Sequence, residues 1–233
     1  EILMAEAIQI NEEYFLNKYP FKYYGMKKMF LNAKVDQGKF YEVQDEIILD
    51  LKEIKKLSVE NYHGKDLDFL DEFGDVEKRL TTKEELFKAS KFELEVEYLS
   101  LYASVLKETG NFKEAKNVYE KALKSKIETG KLLEINYEEE LTPSIDSMQI
   151  LQIYQDLYEF SILFNEESDT EKYNNILSKY CEDPGIAKYI CLEYYDYTIN
   201  YFLKKQNYEG MQNTFAKLEK LWSTVTLGNQ YVQ

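Results

Sequence analysis

Apolar and small residues recur at helical spacing in two short runs within EYLSLYASVLKETGNFKEAKNVYEKALK, residues 97–124. Leu99, Tyr102, Ala103 and Leu106 form the first run, and Phe112, Ala115, Tyr119, Ala122 and Leu123 the second. Each half therefore carries one apolar stripe of helical period. Thr109-Gly110-Asn111 supplies the turn between them. Gly110 can take the left-handed conformation that ends a helix, while Asn111 can cap the next, with Glu114 completing a capping box. The pattern predicts a helical hairpin.

The same grammar extends along the chain. Leu3, Ala7, Ile10, Tyr14 and Lys18 share a face over residues 3–18, and Pro20 is placed to open the next helix. That helix, to Val35, carries Tyr23, Tyr24, Lys27, Phe30, Leu31 and Lys34; a turn holding Gly38 follows, then Phe40, Val43, Ile47, Leu51 and Ile54 at helical spacing. After a polar break from Ser58 to Lys65 and an acidic stretch from Asp66 to Arg79, Thr82-Lys83-Glu84-Glu85 reads as a second capping box. It opens a helical run to Glu108 that is expected to break near Ser90-Lys91. Lys131 to Glu140 is expected to form a short helix. Thr142-Pro143 starts another, with Ile150, Ile153, Tyr154, Leu157, Phe160 and Phe164 on its apolar face. Ser168 to Glu171 is expected to cap a helix through Ile176, Leu177 and Tyr180, and Asp183-Pro184 to precede a helix from Ile186 to Lys204. Gln206-Asn207 then turns the chain into Tyr208 to Trp222. This last pair places Ile199, Phe202, Tyr208, Met211, Phe215 and Leu218 on core positions.

The stretch from residue 97 to 124 resembles a tetratricopeptide repeat, a family whose unit is helix, turn, helix of about 34 residues. Gly38 and Gly110 stand close to two such units apart. Ala103 and Ala115 would lie where helix backbones approach, so larger side chains would force them apart. The proline that usually closes the unit is missing, since Leu123 runs on through Lys124-Ser125-Lys126. The resemblance implies an all-α fold, an α-α superhelix of stacked hairpins over residues 1–226, with repeats near 24–57, 66–90, 96–127, 150–180 and 192–222 and a loose tail at 227–233. It further implies a concave groove, lined by first helices, that grips a peptide or protein segment with Lys, Arg and Asn. Lys28 and Asn32 occupy such places; Asn200 corresponds to Asn32 and Asp196 to Lys28. Glu97, Ser100, Ser104 and Glu108 would face the same groove, and Glu193 joins Asp196 in the last repeat. This acidic lining favours a basic ligand. A narrower expectation is the peptide-sensing part of a bacterial regulator. The alternatives are a self-association module using Trp222, Leu221 and Leu3, which would make a homo-oligomer, and the sensory arm of a larger signalling enzyme.

Composition narrows the field. Among 233 residues, 44% hydrophobic and 15% aromatic with only 3 Pro and 9 Gly describe a folded chain with room for long helices. A net charge of −14 argues against direct nucleic-acid binding, which needs a basic stripe. No run reaches the roughly 18 to 20 apolar residues of a membrane helix, and the opening EILMAEAIQI lacks a basic leader. A cytoplasmic protein is expected, and the start at Glu1 reads as a fragment of something longer. Cys181 and Cys191 are expected to be buried free thiols. The cluster Asp66, Asp68, Asp71, Glu72, Asp75 and Glu77 reads as a solvated acidic face, because Leu70 stands where a calcium loop needs an oxygen ligand. His63 is the only histidine, which leaves no histidine-based triad or zinc cluster, and no glycine-rich phosphate loop occurs. Most of the 21 tyrosines are assigned to core packing, with Tyr24, Tyr158 and Tyr197 as candidate wall residues. The expectation is a binding protein without catalytic residues, metal or cofactor.

Overall fold

The computed structural model describes residues 16, 18–61, 82–132, 145–182, 184–185 and 188–228. Eight α-helices are present among them and no strand: α1 Pro20–Val35, α2 Phe40–Lys56, α3 Lys83–Glu108, α4 Phe112–Leu132, α5 Ile145–Phe164, α6 Glu167–Tyr180, α7 Lys188–Lys204 and α8 Tyr208–Gly228, with a single 3-10 turn at Val59–Asn61. Residues 3–15 of the helix expected over 3–18, the acidic cluster of 66–77, His63, residues 133–144 and residues 229–233 of the expected tail all lie outside the described residues. The chain divides into two compact units, Glu1–Asn136 and Tyr137–Gln233. Within each, consecutive helices pack as hairpins, the arrangement of an α-α superhelix.

Four hairpin turns share one hydrogen-bond pattern. In each, a backbone N–H reaches back five residues to close the helix end: Lys39 to Lys34, Asn111 to Leu106, Glu166 to Ser161 and Asn207 to Phe202, at 2.8 to 3.1 Å. The residue before each donor is left-handed, with φ of 76° at Gly38, 79° at Gly110, 58° at Asn165 and 58° at Gln206. Nothing lies within 4 Å of a Cβ placed at Gly38 or Gly110, so backbone conformation, not space, demands glycine there. Asn165 and Gln206 hold the same geometry at the steric cost a Cβ imposes.

In the first unit, α1 and α2 pair and both pack on α3, whose C-terminal half pairs extensively with α4. Leu31, Val43, Ile47, Ile54, Leu94 and Tyr98 are fully enclosed between α1, α2 and α3. Tyr98 donates its hydroxyl to the Tyr24 carbonyl at 2.9 Å, so a phenol fills the core and its polar tip is satisfied. The capping box at Thr82 and Glu85 forms as expected, with reciprocal bonds of 3.2 and 3.1 Å. The break expected at Ser90-Lys91 does not occur. Ser90 is buried and returns its hydroxyl to the Leu86 carbonyl within the helix, while Lys91 swings out to bond the Lys55 and Leu57 carbonyls at the C-terminal end of α2. A cation placed there complements the helix dipole as well as the unpaired carbonyls.

Ala103 and Ala115 are completely buried, as are Leu106 and Ala122. Phe112, expected in the core, is instead 42% exposed. Next to the turn, the Asn111 amide donates to the Thr109 hydroxyl at 3.1 Å, and the Tyr102 hydroxyl donates to Glu114 at 3.5 Å.

In the second unit, α5 and α6 form one hairpin and α7 and α8 the other, with α7 also packed on α5. α5 is buried on nearly every side, through Leu151, Tyr154, Leu157 and Tyr158. Tyr158 and Thr198 share a hydroxyl–hydroxyl bond of 3.0 Å between α5 and α7. α6 starts at Glu167 with no side-chain cap, so Ser168 lies inside the helix rather than capping it. The two cysteines are not free thiols. Cys181 and Cys191 form a disulfide with Cα atoms 5.5 Å apart, tying the end of α6 to the first turn of α7, and both are buried. Disulfides persist in oxidising compartments, a different setting from the cytoplasm expected above.

Candidate functional site

The expected peptide-binding residues fall in both units. In the first, Lys28 of α1 and Glu97 of α3 meet as an ion pair of 3.3 Å. Asn32 is exposed on α1, and Ser104 is half-buried. Ser100 has a buried hydroxyl oxygen with no hydrogen-bond partner among the described residues. The structure thus brings Lys28 and Glu97 together across α1 and α3.

Burial governs the charges around them. It holds the Glu97 carboxyl above its ordinary range, with Lys28 pulling the other way. Asp50 is raised by burial against the pull of Lys27, which pairs with it at 2.5 Å, and Glu95 is raised by burial against Lys91 and Lys55. A carboxyl raised in the folded state binds its proton more tightly folded than unfolded. Its contribution is therefore fully present below the unfolded value and is lost as pH rises through the folded one. Glu128 and Glu167 run the other way, lowered by hydrogen bonds from Lys131 and Lys205, and their contribution is lost below their ordinary value of 4.5. Thermal melts are accordingly expected to show Tm rising as pH is lowered from neutrality through the raised values of Glu97, Asp50 and Glu95, then falling in stronger acid. A Tm that falls steadily from pH 7.5 downward would contradict the assignment.

In the second unit, helical spacing converts two helix faces into one valley. α7 contributes Glu193, Asp196 and Tyr197; α8 contributes Phe215, Leu218, Glu219 and Trp222, and together with Leu192 they line a groove of about 490 Å³. Phe215 and Trp222 are 49% and 57% exposed. The sequence pattern placed Phe215 and Tyr208 in the core. α8 turns Thr214 and Leu221 inward instead, which leaves Phe215 and Trp222 on the open face. Leu221, paired with Trp222 as an exposed contact residue in the self-association reading, is therefore buried, and Leu3 lies outside the described residues.

The rim of this groove is acidic. Glu193 accepts a hydrogen bond from the buried Gln155 amide of α5, which fixes its carboxylate without neutralising it. Asp196 and Glu219 have no basic partner among the described residues. Asn200 is exposed one turn beyond Asp196 on α7. Glu193 and Asp196 are thus brought into one site with Tyr197, and α8 completes it with Phe215 and Leu218, expected in the core, with Trp222, expected at a self-association surface, and with Glu219. Their i, i+3/i+4, i+7 spacing was the available signal.

Among the described residues no group of three His, Cys, Asp or Glu is placed to hold a metal ion, and no helix is long and apolar enough to cross a membrane. No protein-family model, curated protein or solved structure matches the chain.

Proposed function

We propose that this chain is a non-catalytic helical-repeat scaffold of tetratricopeptide-like hairpins, and that the groove between α7 and α8 docks a basic amphipathic helix of a partner protein. One observation carries the reading: an apolar floor of Tyr197, Phe215, Leu218 and Trp222 lies between carboxylates at Glu193, Asp196 and Glu219. A helix laid along such a valley buries anchors at i, i+3/i+4 and i+7, while its lysines or arginines meet the rim. Exposed aromatics in a concave patch are the side chains most often responsible for binding energy at protein interfaces. The chain's surplus of acidic residues, 43 against 29 basic, would steer such a partner in and make association salt-dependent.

Trp222 is the only tryptophan of the chain, so its fluorescence reports on this groove alone. Titration with a synthetic leucine–lysine amphipathic helix is expected to shift Trp222 emission to the blue. The same peptide with glutamate replacing lysine should leave the emission unmoved. Phe215→Ala and Glu219→Lys, both at exposed positions, should each weaken binding by about tenfold. Equal binding of the acidic peptide, or unchanged affinity in both variants, would remove the assignment. So would a protein concentration dependence of the emission without peptide, because a second copy would then be the occupant.

A further inference from the structure

On the opposite face of α8 lies a second cavity, of about 630 Å³. Lys217 and Lys220 reach it from α8, and Lys188 from the start of α7; Cys181, Glu182, Pro184, Gly185 and Tyr195 form the wall opposite α8. We propose that this cavity binds a small phosphorylated molecule of about nucleotide size.

The charge pattern is the first argument. Several lysines of this acidic chain are matched to carboxylates: Lys27 with Asp50, Lys28 with Glu97, Lys34 with Glu46, Lys126 with Glu93 and Lys205 with Glu167. Lys188, Lys217 and Lys220 have no acidic partner among the described residues, and Glu182 is the one described carboxylate that shares their cavity. Two lysines one turn apart on the same helix repel each other and are tolerated best when an anion lies between them. Three lysines from two helices line this one cavity, and their combined charge matches the two to three negative charges of a phosphate ester or polyphosphate.

Shape and rigidity are the second. The cavity is of a size ordinary for small-molecule sites, and its apolar part, made by Leu221, Pro184 and Tyr195, can hold a ring or hydrocarbon portion. One end of its wall is anchored within the fold. Cys181 is pinned to Cys191, and Tyr195 donates its hydroxyl to the Cys181 carbonyl at 3.0 Å. A pre-ordered wall lowers the entropic cost of binding.

Isothermal titration of the intact protein with ATP, tripolyphosphate and adenosine separates the possibilities. Expected is saturable binding of ATP and tripolyphosphate but not adenosine, weakened by about tenfold or more in Lys217→Ala/Lys220→Ala. Both lysines are exposed, so the fold should survive, and a circular dichroism melt checks that it does. Lys113→Ala/Lys121→Ala, which removes two equally exposed lysines from another cavity in the first unit, makes the same change in net charge and should leave affinity within about twofold. The proposal is overturned if neither polyphosphate binds at millimolar concentration. It is equally overturned if adenosine alone binds as well as ATP, or if the two double variants lose affinity alike.

Discussion

Lys126→Met is expected to destabilise the first unit by about 3–5 kcal/mol, read as a fall in the urea midpoint at constant slope. Lys126 reaches both carboxylate oxygens of Glu93, at 2.7 and 2.8 Å, between α4 and α3. The two side chains are only 2% and 8% exposed. Removing the ammonium leaves a nearly buried carboxylate without its ion-pair partner, and the cost of that stranded charge dominates. The pair itself is a different matter, because burying two ions also carries a large desolvation penalty. Lys126→Met combined with Glu93→Leu is therefore expected to return close to wild-type stability or exceed it. A double variant as unstable as the single one would show that packing at these positions, not the uncompensated charge, sets the loss.

Replacing Cys181 and Cys191 together with alanine should cost the second unit about 3 kcal/mol. The two are 10 residues apart in sequence, and closing so short a loop restricts the unfolded chain by roughly that amount. Alanine is the suitable replacement because both positions are buried and a hydroxyl would need a partner. Thiol titration of the denatured protein should find no reactive thiol before reduction and two after it. If the reduced wild type unfolds at the same urea concentration as the oxidised form, the cross-link adds nothing and the prediction fails.

Glycine made two of the four hairpin turns easy to see in the sequence. Gly38 and Gly110 announce a left-handed residue, whereas Asn165 and Gln206 adopt the same conformation with side chains that do not advertise it. Thr82 and Glu85 were readable because both halves of a capping box are polar letters at fixed spacing next to a helical run. Asn111 and Glu114 show related letters beside the Gly110 turn, and Asn111 stands just ahead of α4. Other features depend on which neighbour a helix face meets. On α8, apolar residues occupy two adjacent stripes, and only packing against α7 decides that Leu221 goes in and Trp222 stays out. Nothing in the sequence marks Glu93 and Lys126 as a buried pair; they become one only where α3 and α4 meet. The cysteine spacing was silent for a related reason, since whether two thiols can join depends on the Cα separation that the α6–α7 connection imposes. Of the groove, Glu193 and Asp196 were legible through their place on the first helix of the last hairpin; the aromatic half opposite them was not.

α8 has hydrophobic aromatics on one side and lysines on the other, so the same rigid rod forms part of two openings. A guest that tips this rod toward itself on one side must alter the width of the opening behind it. By thermodynamic reciprocity the second guest then feels the first to the same degree in free energy, whichever arrives earlier.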